Sequence, residues 1–186
     1  EMVLTEMRLK QMEKKQIEAQ VRTLLKAFGY RFNQDDYVNI IDFVHSLGFI
    51  VGNARLDDGE DGFLAIQAGD KAKNGNEISN DKIIGVNSKR TLEWKRFIIA
   101  HEFAHFVLHY KMGEVYLHRE NKKGKGSDEN DADYFAAALL MPEESFRRLY
   151  NQFKTQGLTG NAMYLQLASI FKVPLDSVSR RINEVC

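Results

Sequence analysis

The sequence predicts an α+β fold in which a small, mainly antiparallel sheet of three strands packs on a helix carrying two histidines, with additional helices at both ends. Three short β-rich runs form the sheet, "GFIVGNARL", "GFLAIQ" and "KIIGVN", and stretches rich in Gly, Asp and Asn separate them. Apolar residues recur at helical spacing on both sides of this region. The 186 residues are enough to bury a hydrophobic core.

Two helices are predicted before the sheet. The first covers residues 3–28 and ends at Gly29, because helices commonly end at a glycine with positive φ. The second covers residues 36–47 and ends at Gly48. We interpret the first as a packing helix with a solvated face; the alternative is an arm that contacts a partner.

Helical spacing returns after the sheet, at residues 91–110, where Ser88 or Thr91 can cap the start. His101 and His105 fall on the apolar stripe of this helix, so we expect both to face the core.

The C-terminal part is predicted to be helical, apart from a charged loop at residues 118–130. Pro142 ends one helix and starts the next, and Pro174 separates the last two. The predicted helices begin near Ser127 and at Pro142, and the last two cover 161–171 and 175–185. A second loop is predicted at 69–81, between two strands.

Charge and composition exclude several classes of function. Lys plus Arg and Asp plus Glu both number 26, so the formal net charge is zero, and direct binding to nucleic acid is not expected. The longest apolar run, 135–141, is far shorter than a membrane span, and no export signal is recognised. A single cysteine, Cys186, forms no intrachain disulfide. These features predict a cytoplasmic protein that binds no membrane.

The segment "RFIIAHEFAHFVLH" contains two candidate zinc ligands and a candidate general base. Histidines four residues apart lie one turn above each other on a helix, about 40° apart around its axis, so His101 and His105 can bind one zinc ion together. Glu102 lies to the side of this pair, where it can act as the general base on a water molecule. The alternative is that both histidines are only polar residues of the core.

A catalytic zinc ion needs a third protein ligand. Glu129 and Asp133 lie on one helical stripe with Ala132, Ala136 and Leu140, where a buried carboxylate is unfavourable unless it is paired. We therefore predict Glu129 as the third ligand and Asp133 as the acceptor of the second N–H of a ligand histidine. The alternative is that both acids only stabilise the helix N-terminus.

The two remaining histidines near this segment are not predicted to bind the ion. His109 extends the row of histidines, but it is about 12 Å along the helix axis from His101. His118 lies in the charged stretch and is interpreted as a surface residue.

The two segments "RFIIAHEFAHFVLH" and "ENDADYFAAALLMP" resemble the ImmA/IrrE family of zinc metallopeptidases, which are gluzincin-like zincins. The resemblance spans roughly residues 37–183, and Phe103 and Ala104 stand where the family usually has Leu-Gly. It implies a zincin-like fold, His101, His105 and Glu129 as ligands of one zinc ion, and Glu102 as base. It also implies site-specific cleavage of a repressor, often a helix-turn-helix protein.

On this basis we expect three parts: an N-terminal helix (1–29), a zincin-like metallopeptidase domain (30–150) and a C-terminal helical pair (151–186) packed on it, unless the whole chain is one domain. Four tyrosines are candidates for stabilising the oxyanion, namely Tyr110, Tyr116, Tyr134 and Tyr164. A substrate strand can add to an edge of the sheet.

Two alternatives to a peptidase remain. The first is a catalytically silent protein with a zinc fold that binds and sequesters a regulator. The second is a DNA-binding regulator that uses "LASIFKVPLDSVSRRI", with Lys172, Arg180 and Arg181 as its basic residues. Three charges are few for contacts with phosphates, so a structural helical pair is the favoured interpretation of this segment.

Overall fold

The computed structural model describes residues 2–67, 81–111, 114–119 and 126–186, with side chains in the first helix from Lys10 onward. The α+β class is confirmed. The helices are α1 (Met2–Phe28), α2 (Ile40–Ser46), α3 (Leu92–His109), α4 (Ser127–Leu140), α5 (Glu143–Thr155), α6 (Gly160–Phe171) and α7 (Leu175–Val185). The strands are β1 (Phe49–Ala54), β2 (Gly62–Ile66), β3 (Lys82–Asn87) and β4 (Tyr116–Arg119). The predicted loop at 69–81 lies, except for Asp81, outside the described residues.

The chain forms two compact units. One contains Asn39–Ala132, with the sheet, α2 and α3, and the other contains Glu1–Val38 together with Asp133–Cys186. The division of the chain into three parts that the sequence suggests stays a prediction.

Over the described residues the sheet has four strands in the order β1-β3-β2-β4, so the prediction of three strands was wrong. The predicted three are present, but β1 pairs with β3 in parallel, while β2 pairs antiparallel with β3 and with β4. The additional strand, β4, covers the start of the stretch that was predicted to be a loop. Its four residues are too few to show a clear alternation of polar and apolar side chains.

One face of the sheet lies against α3. Gly62, Leu64 and Ile66 share this face because alternate residues of a strand point the same way. A Cβ on Gly62 would lie 2.4 Å from Ile98 Cγ2 of α3, so the glycine permits the close approach of strand and helix. Leu64 and Ile66 are almost completely buried.

The helix caps agree with the sequence in one case and correct it in another. Thr91, one of the two predicted caps, accepts a hydrogen bond from the Trp94 N–H at the start of α3. The second helix begins at Ile40 instead of residue 36, because the Asn39 side chain caps it by accepting from the Asp42 N–H.

The other unit contains a buried charged group, which we call the Arg181 cluster: Arg181, Glu18 and Tyr134. The Arg181 side chain is fully buried, and its guanidinium donates two hydrogen bonds to Glu18, of 2.6 and 3.1 Å. Its Nε donates to the Met141 carbonyl, and the Tyr134 hydroxyl donates to Glu18. The cluster therefore joins α1, α4 and α7 through paired charges.

Among the described residues, no helix has the length and apolar character needed to cross a bilayer.

Candidate metal centre

The two histidines of α3 converge at one point. His101 and His105 are 3% and 2% exposed, in agreement with the prediction that they face the core. Their spacing of four residues places one imidazole above the other, and the two Nε2 atoms are 3.1 Å apart. Two imidazole nitrogens at this distance cannot both carry a proton, so at least one of them directs a lone pair towards the other.

Glu129 joins this pair from the first turn of α4. Its Oε2 is 3.1 Å from His101 Nε2, and its Oε1 is 3.4 Å from His105 Nε2. One ligand atom from each of His101, His105 and Glu129 lies within 4.8 Å of the other two. The three side chains that the sequence predicted as ligands are thus brought together in a single unit of the protein.

The spacing of these atoms fits a zinc ion. A tetrahedral ion with Zn–N distances of about 2.0–2.1 Å holds its ligand atoms about 3.3–3.4 Å apart. The two Nε2 atoms are 3.1 Å apart and Glu129 Oε2 is 3.1 Å from His101 Nε2, and both distances are close to that value. Two imidazoles and one carboxylate are also a usual donor set for catalytic zinc.

The electrostatics favour the protonation states that a metal requires. Burial, and after it the neighbouring His118 and His101, lower the pKa of His105 to about 3, so its imidazole is neutral at pH 7. The hydrogen bond with His101 lowers the pKa of Glu129 to about 2, so this carboxylate is ionised. Metal ligands must be neutral imidazole and ionised carboxylate, and these two groups meet that condition.

Glu102 lies beside the converging atoms and is fully buried. Its Oε2 is 2.9 Å from His118 Nδ1. Its Oε1 has no hydrogen-bond partner in the described part of the chain. A buried carboxylate oxygen without a partner is unfavourable, and such an atom is suited to contact a water molecule and take its proton.

His118 corrects the sequence analysis, which interpreted it as a surface residue. It lies on β4 directly opposite Leu64, so its side chain points to the face of the sheet that lies against α3. Its side chain is 16% exposed, and its Nε2 is 2.9 Å from Glu129 Oε1. Burial lowers the pKa of His118, but its hydrogen bonds to Glu102 and Glu129 and their charges outweigh this and raise it.

The sequence contained little signal for His118. Leu117, the apolar residue next to it, is 62% exposed and points to the opposite face of the sheet because neighbouring residues of a strand alternate. A reading based on hydrophobicity therefore assigns the wrong face of this strand to the core.

Asp133 lies one turn beyond Glu129 on α4 and is 8% exposed. Its Oδ2 accepts a hydrogen bond of 3.2 Å from Arg180 Nη1. Its role as acceptor for a ligand histidine stays a prediction.

The four candidate tyrosines are placed differently. Tyr134 belongs to the Arg181 cluster, Tyr164 lies on α6, and Tyr110 ends α3 with its ring stacked on Phe106. Tyr116 lies on β4 opposite Ile66, two residues before His118, and so it shares the face of His118. Burial, and after it the charge of Glu102, raise the pKa of Tyr116, which keeps its hydroxyl protonated as a donor.

Comparison with known proteins gives one family and one fold. The sequence matches the peptidase M78 family, described as the IrrE N-terminal-like domain, over residues 60–183, which confirms the resemblance seen in the sequence. No match is found among curated proteins. The fold is similar to that of a Mycobacterium tuberculosis transcriptional regulator, with a TM-score of 0.54 and 16% identity. The similarity covers 90% of this chain but 46% of the other.

Proposed function

The chain belongs to the peptidase M78 family of IrrE N-terminal-like domains, and from this premise we propose that it is a zinc-dependent endopeptidase. The main support is the convergence of His101, His105 and Glu129 beside the buried Glu102. Two nitrogens and one carboxylate leave a fourth position of a tetrahedral ion open, as catalytic zinc requires.

In this proposal His101, His105 and Glu129 hold one zinc ion per chain. When bound, the ion supplies the Lewis-acid chemistry that assists peptide hydrolysis. Glu102 takes the proton of the attacking water through its unpartnered Oε1 and then passes it to the leaving amine. The buried position of Glu102 keeps competing water away from this transfer.

We assign stabilisation of the oxyanion to Tyr116. Its placement on the same face of β4 as His118, which bonds to Glu102, supports this choice over the other three tyrosines. A hydroxyl that stays protonated can donate to the carbonyl oxygen as negative charge develops there.

The substrate in this proposal is a protein, in particular a repressor with a helix-turn-helix fold, as the family resemblance implies. Among the residues that the structure describes, β4 lies at an edge of the sheet, and in this proposal its backbone pairs with an extended segment of that substrate. Val115 and Leu117 are exposed at this edge and offer apolar contacts. With a single cysteine, at position 186, the reducing cytoplasm is the proposed compartment.

The two other functions have less support. A protein that only sequesters its partner has no chemical need for a buried carboxylate oxygen without a hydrogen bond, as in Glu102. For DNA binding, Arg181 is fully buried against Glu18, and Arg180 bonds to Asp133 and Glu184. Lys172 lies over the Tyr37 ring at 4.2 Å. All three basic residues of that alternative are therefore engaged within the protein.

The decisive test is Glu102→Gln. We expect this variant to keep its zinc and to lose cleavage by a factor of about 10²–10⁴ or more, because the proton acceptor is removed while the ligands stay. Zinc content is measured by elemental analysis, and cleavage is measured on a panel of helix-turn-helix repressors by mass spectrometry. His45→Gln, which changes an exposed histidine of α2, is the control. Normal turnover by Glu102→Gln would contradict the proposed mechanism.

A further inference from the structure

His118 contacts three of the site residues at once. Its Nδ1 is 2.9 Å from Glu102 Oε2, and its Nε2 is 2.9 Å from Glu129 Oε1. Its ring also stacks on that of His105, with 3.7 Å between centroids and 25° between planes. One imidazole thus connects the proposed base, one proposed ligand and the ring of another.

The geometry separates His118 from the ligands themselves. Among the described residues, the ligand atoms that converge come from His101, His105 and Glu129. The His118 ring lies nearly parallel to His105, so its nitrogens point past that ring to the two carboxylates. Each ring nitrogen contacts the oxygen of a different carboxylate, so the imidazole bridges Glu102 and Glu129.

His118 contacts one oxygen of each carboxylate and not the other. In Glu129, Oε1 contacts His118. The other oxygen, Oε2, is 3.1 Å from His101 Nε2, where the ion is proposed to bind. In Glu102, Oε2 contacts His118, and Oε1 has no hydrogen-bond partner among the described residues. In both cases the oxygen that chemistry needs is the one that His118 leaves free.

We propose that His118 is a positioning residue that holds Glu102 and Glu129 in fixed relative orientation, so that a rigid imidazole couples the base to the metal ligand. This inference rests on the proposed function for the roles of the two carboxylates. The position of His118 is itself fixed, since the register of β4 sets it opposite the buried Leu64 and its ring stacks on His105. Partners of this kind orient ligands in metal sites.

The main test is zinc affinity of the full chain, measured by competition with a chromogenic chelator. His118→Phe keeps a flat ring that can stack on His105 but removes both hydrogen bonds. We expect it to bind zinc about 10–100-fold more weakly, because Glu129 loses the partner that orients it. His118→Gln keeps one amide donor, which cannot reach both carboxylates as the two ring nitrogens do, so it should also weaken zinc binding and serves as the test if the Phe variant does not fold. His45→Phe, at an exposed position, is the matched control.

Cobalt substitution separates positioning from ligation. The visible spectrum of bound Co²⁺ reports the number and type of ligands, so a positioning role predicts that the spectrum of His118→Phe keeps the wild-type coordination. A spectrum with one nitrogen ligand fewer would make His118 a ligand and overturn the proposal. Equal zinc affinity in wild type, His118→Phe and His118→Gln would also overturn it and leave the proposed function intact. Failure of the wild type itself to bind zinc would refute both.

Discussion

The metal centre and the Arg181 cluster, one in each compact unit, are both buried groups of polar side chains, and they differ in whether their charges are paired. In the Arg181 cluster, the guanidinium and the Glu18 carboxylate form two hydrogen bonds, and the Tyr134 hydroxyl completes the group. At the metal centre, nitrogens and carboxylate oxygens point at one another, and a Glu102 oxygen has no partner in the described chain. A paired group holds helices together, whereas an incompletely paired group has capacity left to bind something else.

Of the variants that test this difference, Glu129→Ala is expected to have the largest effect, which is on zinc content. We predict that zinc content falls from one ion per wild-type chain to little or none, because two histidines alone leave the ion short of a ligand. Elemental analysis after dialysis measures this.

Asp128→Ala is the control, since Asp128 and Glu129 both lie in the first turn of α4 and favour its N-terminus alike. Loss of zinc in Glu129→Ala but not in Asp128→Ala supports ligation. Equal zinc content in both variants and the wild type would mean that Glu129 serves only the helix.

Arg181→Met tests the other side of the comparison. Removal of one partner from a buried ion pair leaves Glu18 without its main counter-charge, so we expect the free energy of unfolding to fall by about 3–5 kcal/mol. Zinc content per folded chain should not change. Urea denaturation followed by circular dichroism gives the first quantity, and elemental analysis of the folded fraction gives the second.

The control for this prediction is Arg147→Met. Arg147 pairs with Glu143 one turn away, but its side chain is 54% exposed, so its loss should cost only about 0.3–0.5 kcal/mol. If the two arginine variants are destabilised equally, the structural role assigned to the Arg181 cluster is wrong.

A smaller effect is expected from the pH dependence of stability without metal. The pKa of His105 is about 3 in the folded protein and near 6.5 when unfolded, so below pH 6.5 the unfolded state binds the proton first. Stability should therefore fall by up to about 1.4 kcal/mol per pH unit from this group as pH decreases from 6.5 to 4.5. The raised pKa of His118 makes stability change with pH only above pH 6.5. The lowered pKa of Glu129 makes stability change with pH only below the usual pKa of a glutamate.

The measurement is a series of urea titrations in the presence of EDTA. His105→Phe should show a shallower decrease than the wild type over the same pH range, because its unfolded state has no histidine to protonate there. A decrease of the same slope in both proteins would contradict the origin assigned to it. His45→Phe removes an exposed histidine and should leave the wild-type slope unchanged.

Sequence reasoning succeeded where the information was local. The spacing of His101 and His105 and the stripe that places Glu129 beside small residues both follow from the geometry of a single helix. Their convergence in one unit was inferred from chemistry, because a carboxylate on an apolar face needs a partner. Helix α2 was predicted too long because an Asn39 cap looks, in sequence, like any polar helical residue.

The misses share another cause, which is pairing between distant parts of the chain. The parallel pairing of β1 with β3 and the addition of β4 depend on register across segments that local patterns do not record. His118 was missed for this reason, since its place at the site comes from lying opposite Leu64 and not from any motif of its own. A polar residue that faces inward from a short edge strand gives no hydrophobic signal.

The position of Glu129 has a further consequence for the chain as a polymer. His105 and Glu129 lie on either side of β4, at the end of one helix and the start of another. An ion bound to both closes the intervening chain into a loop, as a disulfide does. Such a cross-link lowers the entropy of the unfolded chain, and for a loop of this length the chain-entropy estimate is about 3–4 kcal/mol. His105 and Glu129 would then also cross-link the chain, so that the free energy of unfolding increases when the metal binds.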